Sequence, residues 1–239
     1  MSNLVSKQLN NQDRLLCFVV PIGIFLFMLI GDKPFPAFMP RMTGQELGFA
    51  ELTQEFFLFC AVAVGIRMLC DRQLMLPRWL TVWLIVCTVG ALYSLLEEMS
   101  YGQHYFNWDT PEYWRELNRQ EETNLHNINS WFNQKPRTLL EIGVLLGGIV
   151  APLLHRFDPA RIARLPERIR IALPDPLLLT IALLAIVPRM HERIVSAIGV
   201  GSDLFRRTSE VQELYFYYFM LVYLLYLHRR LRSLYAQTQ

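Results

Sequence analysis

Leu15-Leu16-Cys17-Phe18-Val19-Val20-Pro21-Ile22-Gly23-Ile24-Phe25-Leu26-Phe27-Met28-Leu29-Ile30 contains no charged side chain. Such a stretch neither alternates as a strand would nor leaves a polar face as a surface helix would. Extended by a residue or two, it covers the roughly 30 Å of hydrocarbon in a bilayer. A helix satisfies its own backbone groups, so the stretch reads as a transmembrane helix. Five further uncharged runs follow: 56–66, 80–96, 142–154, 177–187 and 214–227. Each grows at its ends into a span, giving expected spans at 15–31, 54–70, 77–97, 138–155, 174–190 and 212–228. The fifth is interrupted by Pro188 and reads as a proline-kinked helix continuing to about residue 198. The expectation is one all-α, polytopic membrane helical bundle over 1–239, with about six transmembrane helices.

Composition agrees. Hydrophobic residues make up 53% of the 239 residues and the mean hydropathy is +0.24, high for a soluble domain. Lys7 and Arg14 precede the first run like the basic start of a signal peptide. No small-x-small cleavage site follows, so it reads as an uncleaved anchor. Cys17, Cys60, Cys70 and Cys87 fall in or beside spans without CxxC spacing, which predicts free thiols.

The charges are sorted by side. Thirteen of the 23 basic residues fall in the N-terminal segment, the turn near residue 73, the loop 156–173 and the C-terminal segment. The accompanying acids are Asp13, Asp71, Asp158, Glu167 and Asp175. The positive-inside rule places these segments, and both termini, in the cytoplasm of a bacterial cell with the protein in its inner membrane. The runs Arg161–Arg170 and His228–Arg232 read as topology anchors that also suit anionic lipid. The basic segments are short, which argues against nucleic acid as a partner.

Three outer segments remain, about 31–53, 98–137 and 189–211. In the middle one, Asp109-Thr110-Pro111-Glu112 reads as a helix start. An amphipathic helix is predicted over 111–133, lying on the membrane or over the bundle. Glu122 and His126 are four apart and so are neighbours on it. Asn118, Gln120, Asn124, Asn127 and Asn129 crowd its polar side although Asn is a poor helix former. Glu97 and Glu98 end the third span, where the helix dipole disfavours acids. Glu51 and Glu55 begin the second span, Glu141 the fourth and Glu213 the sixth; Glu192 follows the fifth. Thr43–Glu46 and Ser209–Gln212 read as capping boxes. Gly143-x-x-x-Gly147 suggests close helix packing.

Glu97-Glu98-Met99-Ser100-Tyr101-Gly102-Gln103, followed by Thr110-Pro111-Glu112 and by Asn118-x-Gln120-x-Glu122-x-Asn124-Leu125-His126-Asn127, resembles a signature of a group of uncharacterised bacterial multi-span membrane proteins. The group pairs an EExSWGQ motif with a downstream NxQxExNLHN motif. Glu51 with Thr53, and Glu213, fit its further acids. The resemblance covers most of the chain from residue 45 onward and implies the membrane fold without bringing an activity. His104 stands where the group has a basic residue, often arginine. A fainter likeness to CAAX-type intramembrane proteases, with their EExxxR motif, fails at Gln103 and at the missing later histidines.

Ionisable groups at membrane depth point to a functional site. Glu97, Glu98, Glu122 and His126 are the candidate catalytic residues. Gln103, Asn118, Gln120, Asn124, Asn127, Glu51 and Glu213 are the candidates for substrate contact. Glu98, Glu122 and His126 suit a divalent metal that would activate water or polarise an oxygen; without it, a Glu–His pair suits acid–base chemistry. At headgroup depth, with the bilayer as partner, hydrolysis or group transfer on a lipid or lipid-linked substrate is the leading expectation. A scaffold or assembly subunit and an ion-coupled transporter component stay open, although charges at span ends favour an interfacial site over a transmembrane path.

Overall fold

The computed structural model describes residues 9–31, 48–74, 76–106, 108–117, 123–125, 130–199, 201, 204, 205 and 207–236. Among them the chain is helical, without strands. Helix α1 (Asn11–Gly31) is capped by the Asn10 side chain, which accepts from the Asp13 N–H at 2.7 Å. Helices α2 (Phe49–Cys70) and α3 (Arg78–Glu98) follow, joined by a tight turn. Two short helices, α4 (Gln103–Phe106) and α5 (Glu112–Leu117), lead to α6, which runs through Ser130–Gly143, the π-turn segment Val144–Val150 and Ala151–Phe157. The short helices α7 (Pro159–Ala163) and α8 (Glu167–Ala172) precede α9 (Leu179–Ala197) and the long α10 (Thr208–Ala236).

Four helices are long and apolar enough to cross a membrane: α1, α2, α3 and the Lys135–Phe157 part of α6. Their outward faces leave Val19, Ile30, Phe56, Phe59, Val82, Val89 and Leu146 more than half exposed. So continuous an apolar exterior suits lipid better than water. Helix α9 continues through Pro188, with Arg189, Glu192 and Arg193 in its later turns. Helix α10 has the apolar run expected of a span, but Tyr215, Tyr217, Tyr218, Tyr223 and Tyr226 lower its hydropathy.

Those tyrosines explain the architecture. Helix α10 is the buried axis of the bundle, packed along α2 and α9, with α2 against α3 in turn. A phenol inside a bundle needs a partner, and each of the five donates to another segment. Tyr215 donates to the Pro21 carbonyl at 2.7 Å, Tyr223 to the Ala172 carbonyl at 2.8 Å, Tyr226 to Asp13 Oδ1 at 2.6 Å and Tyr217 to Glu98 Oε1 at 2.8 Å. Tyr218 answers a defect in α1. Val20 N–H bonds the Leu15 carbonyl in π register, and the next such bond, to Leu16, would need the N–H that Pro21 lacks. Tyr218 Oη takes that carbonyl at 2.7 Å. Tyr218→Phe is expected to lower stability by about 1–3 kcal/mol, the cost of an unsatisfied buried carbonyl. Thermal unfolding in detergent reads it directly.

Polar contacts sort the helix ends. At one end, Arg229 pairs with Asp13 at 3.1 Å, Arg232 with Asp71 at 3.3 Å and Arg230 with Asp175 at 3.9 Å. Arg230 Nη1 also reaches the carbonyls of Ile171 and Leu173 at 3.0 and 2.8 Å. The Gln73 N–H first, and then the Arg232 guanidinium, hold the Asp71 carboxyl below its ordinary range. At the other end, Arg137 pairs with Glu213 at 2.9 Å and Arg193 with Glu141 at 2.8 Å. Residues 13, 71, 175 and 229–232 therefore share one end, and 98, 137, 141, 193 and 213 the other.

Of the expected glycine pair only Gly147 is closely packed, and two glycines outside the pair are tighter: Gly148, and Gly65, where a Cβ would lie 2.2 Å from Thr88 Oγ1. A Cβ on Gly143 would meet nothing, and one on Gly147 would meet only Pro174 Cγ at 3.0 Å. A Cβ on Gly148 would lie 2.6 Å from Ala182 Cβ and 2.7 Å from Phe219 Cε2, where α6, α9 and α10 meet.

Candidate functional site

The end of α3 splits the two adjacent carboxylates. After Glu98 the chain takes three successive left-handed residues, Ser100 (φ 45°), Tyr101 (φ 55°) and Gly102 (φ 101°). Only glycine adopts this region without strain, at roughly 1–2 kcal/mol for each other residue. A Cβ on Gly102 would also lie 3.2 Å from the rings of Phe106 and Trp108. The reversal turns Tyr101 and Gln103 back toward α3 and sets up a clamp on residues 123–125.

The clamp uses side-chain acceptors to hold backbone. Gln103 Oε1 accepts from both the N–H and the hydroxyl of Thr123, at 2.7 and 2.6 Å. Gln103 Nε2 donates to Thr110 Oγ1 at 2.7 Å. Glu97 Oε2 accepts from the Leu125 N–H at 2.9 Å, and Glu97 Oε1 from Tyr101 Oη at 2.8 Å. Asn124, fully buried, donates to Ser100 Oγ at 3.1 Å. Burial and the bond to Glu97 push the Tyr101 phenol above its ordinary range. Burial and a hydrogen bond to Glu55 push Tyr105 up to about 12.

This clamp corrects the expected helix over 111–133. Helix is present at Glu112–Leu117 and over the Ser130–Gly143 part of α6, but residues 123–125 are irregular. The N–H groups of Thr123 and Leu125, which a helix would have bonded internally, go to Gln103 and Glu97 instead. Side-chain acceptors that reach the backbone in this way compete with helix formation. Glu97, Gln103 and Asn124, expected to serve catalysis or substrate contact, are brought together here and bonded to one another's segments.

Glu98 turns the other way, toward α10. Its Oε1 accepts from Tyr217 Oη, and it lies in the field of Glu213, Glu210 and Glu51. Glu213, one turn before Tyr217, pairs with Arg137 Nη1 at 2.9 Å. Arg137 Nη2 donates to Gln212 Oε1 at 2.8 Å. Gln212 is therefore not reaching back to Ser209 as a capping box would; Ser209 lies inside α10, which begins at Thr208. From α2, Gln54 Nε2 donates to the Glu210 carbonyl at 3.0 Å and approaches Glu210 Oε2 at 3.5 Å. Glu51, Glu98 and Glu213 are thus brought together, with α2, α3, α6 and α10 each contributing.

Arg137 and Gln54 had no place in the sequence reading. A glutamine at the start of the second span, one turn after Glu51, was the available signal for Gln54. Glu122, His126, Asn118, Gln120 and Asn127 lie outside the described residues, as does the Thr43–Glu46 capping box. Among the described residues no three of His, Cys, Asp and Glu are gathered to hold a metal ion. No protein-family model, curated protein or solved structure matches the chain.

Proposed function

We propose that this is an inner-membrane protein of six spans whose outer end carries an acid–base site for hydrolysis or group transfer on a lipid or lipid-linked substrate. Helices α9 and α10 supply the fifth and sixth spans. The 29 residues of α10 reach about 43 Å at 1.5 Å each, and its phenols bond inside the bundle. The arginine-rich end faces the cytoplasm by the positive-inside rule, with Arg156, Arg164 and Arg168 exposed there.

The observation that carries the chemistry is the unlike setting of two neighbouring carboxylates. Glu98 is held by a phenol, and Glu213 by a guanidinium, within one shared field. Carboxylates with different surroundings take different proton-transfer roles. Glu98 is the proton carrier of this proposal, Tyr217 its hydrogen-bond donor and Glu213 the second carboxylate, fixed by Arg137. Helix ends at the bilayer surface present such a pair to headgroups rather than to acyl chains.

Purified wild-type protein and Glu98→Gln are to be incubated in vesicles of bacterial lipid extract, with every lipid species followed by mass spectrometry. Wild type should consume one species, and Glu98→Gln should be slower by about 100-fold or more with an unchanged Tm. If wild type leaves every species unchanged, the enzymatic reading falls and the scaffold reading takes its place.

A further inference from the structure

Two fully buried side chains beside the Glu98–Glu213 pair each keep one polar atom without a partner. Gln54 Oε1 and Gln212 Nε2 are both sequestered, and neither meets a donor or acceptor among the described residues. Their other amide atoms are engaged within the cluster, Gln54 with Glu210 and Gln212 with Arg137. The two amides are therefore fixed in orientation while a lone acceptor and a lone donor stay open. Leaving such atoms unsatisfied costs about 1–3 kcal/mol apiece, a cost that a bound polar group removes.

The chemistry of the open atoms narrows the ligand. Arg137 is already joined to Glu213, Gln212 Oε1 and the Ser209 carbonyl, so its guanidinium is not held ready for phosphate, and the surrounding carboxylates repel it. An ammonium group would suit Gln54 Oε1 and the carboxylates but offers nothing to the Gln212 N–H. A hydroxyl both donates and accepts. Several hydroxyls on one ring would answer Gln54, Gln212 and the carboxylates together. The neighbouring segment carries partly exposed rings, Tyr101, Tyr105 and the stacked pair Phe106–Trp108 with centroids 5.9 Å apart. Tyr105 bonds Glu55, the residue that follows Gln54 on α2. Such rings offer an apolar body to a sugar face while sitting at headgroup level.

We propose that the outer end of the bundle binds a hydroxyl-rich headgroup, a sugar or polyol, with Gln54 Oε1 accepting from its hydroxyls and Gln212 Nε2 donating to them. This rests on the reading of that end as an outer, lipid-facing site and names its ligand class. The ligand's source is a glycolipid or a free saccharide.

The test is native mass spectrometry of the full chain in a polyoxyethylene detergent. The probes are galactosyl diacylglycerol, diacylglycerol and phosphatidylethanolamine with identical acyl chains. Wild type should retain the galactosyl lipid at least about tenfold over diacylglycerol. Gln54→Leu and Gln212→Leu should lose that preference while keeping the wild-type elution profile. Gln54→Met and Gln212→Met replace them if leucine prevents folding. Displacement by free methyl galactoside would assign the site to a soluble saccharide, and retention against it would assign the site to a glycolipid. The proposal is overturned if diacylglycerol is retained equally, if phosphatidylethanolamine is preferred, or if the preference survives both substitutions, which would leave the amides to a buried water. Binding is read without turnover. Galactosyl preference together with inert vesicles would sink the catalytic reading alone; conversion of a sugar-free lipid without such preference would sink this one alone.

Discussion

Gly148→Leu should yield no folded, monodisperse protein. The first atom of any side chain there lies 2.6 Å from Ala182 Cβ and 2.7 Å from the Phe219 ring, inside van der Waals contact with two different helices. Ala182 is short and backbone-bound, so it can withdraw only if α9 moves. Phe219 is packed within α10, whose displacement would disturb the tyrosine bonds to α1. Overpacking a well-filled core typically costs about 1–3 kcal/mol for added methylenes; here the clash begins at Cβ, so even Gly148→Ala should fall in that range. Gly143→Leu is the matched control, since a Cβ there meets nothing. Fluorescence-detected size exclusion of the three variants decides the matter. A monodisperse Gly148→Leu with wild-type Tm would mean that α6, α9 and α10 do not meet as described.

Glu97→Ala should free the clamp at the end of α3. It removes the acceptor for the Leu125 N–H and for Tyr101 Oη at once, stranding two donors at about 1–3 kcal/mol each if they stay buried. Opening the loop to water avoids that cost, so the expected outcome is local release rather than global unfolding. Amide exchange at Thr123 and Leu125 should rise by at least about tenfold, and exchange within α10 should stay as in wild type. Gln103→Ala should release Thr123 in the same way. Unchanged exchange in Glu97→Ala would show that the carboxylate does not hold the loop. Loss of lipid conversion without any change in exchange would return Glu97 to the chemistry.

The helices that face lipid were readable because uncharged length is itself the physical requirement. Helix α10 was readable as a helix but not as the axis, since hydropathy counts a tyrosine as polar without knowing where its hydroxyl is bonded. Residues 111–133 misled for a related reason. Their periodicity is helical, and the acceptors that take the Thr123 and Leu125 N–H groups lie 20 and 28 residues earlier in sequence. Glu97, Gln103 and Asn124 could be singled out together as unusual at a membrane boundary; that they bind protein backbone depends on the left-handed turn at Ser100 and Tyr101, which no residue-type rule selects. Arg137 looked like one more flanking charge until Glu213 and Gln212 came to its side.

The bonds of α10 also set an order of assembly. Asp13, Asp71, Asp175, the Leu16 and Pro21 carbonyls and Glu98 lie on earlier segments, and each meets its partner on α10, which leaves the ribosome after all of them. Until α10 arrives, the buried Asp13 carboxyl and the Leu16 and Pro21 carbonyls lack these partners, and Asp71 and Asp175 keep only their local bonds from the Gln73 and Leu177 N–H groups. The nascent chain must therefore wait beside the insertion machinery and close in one late step. Chains stopped short of Thr208 would remain open bundles, fit for quality-control proteolysis rather than partial activity.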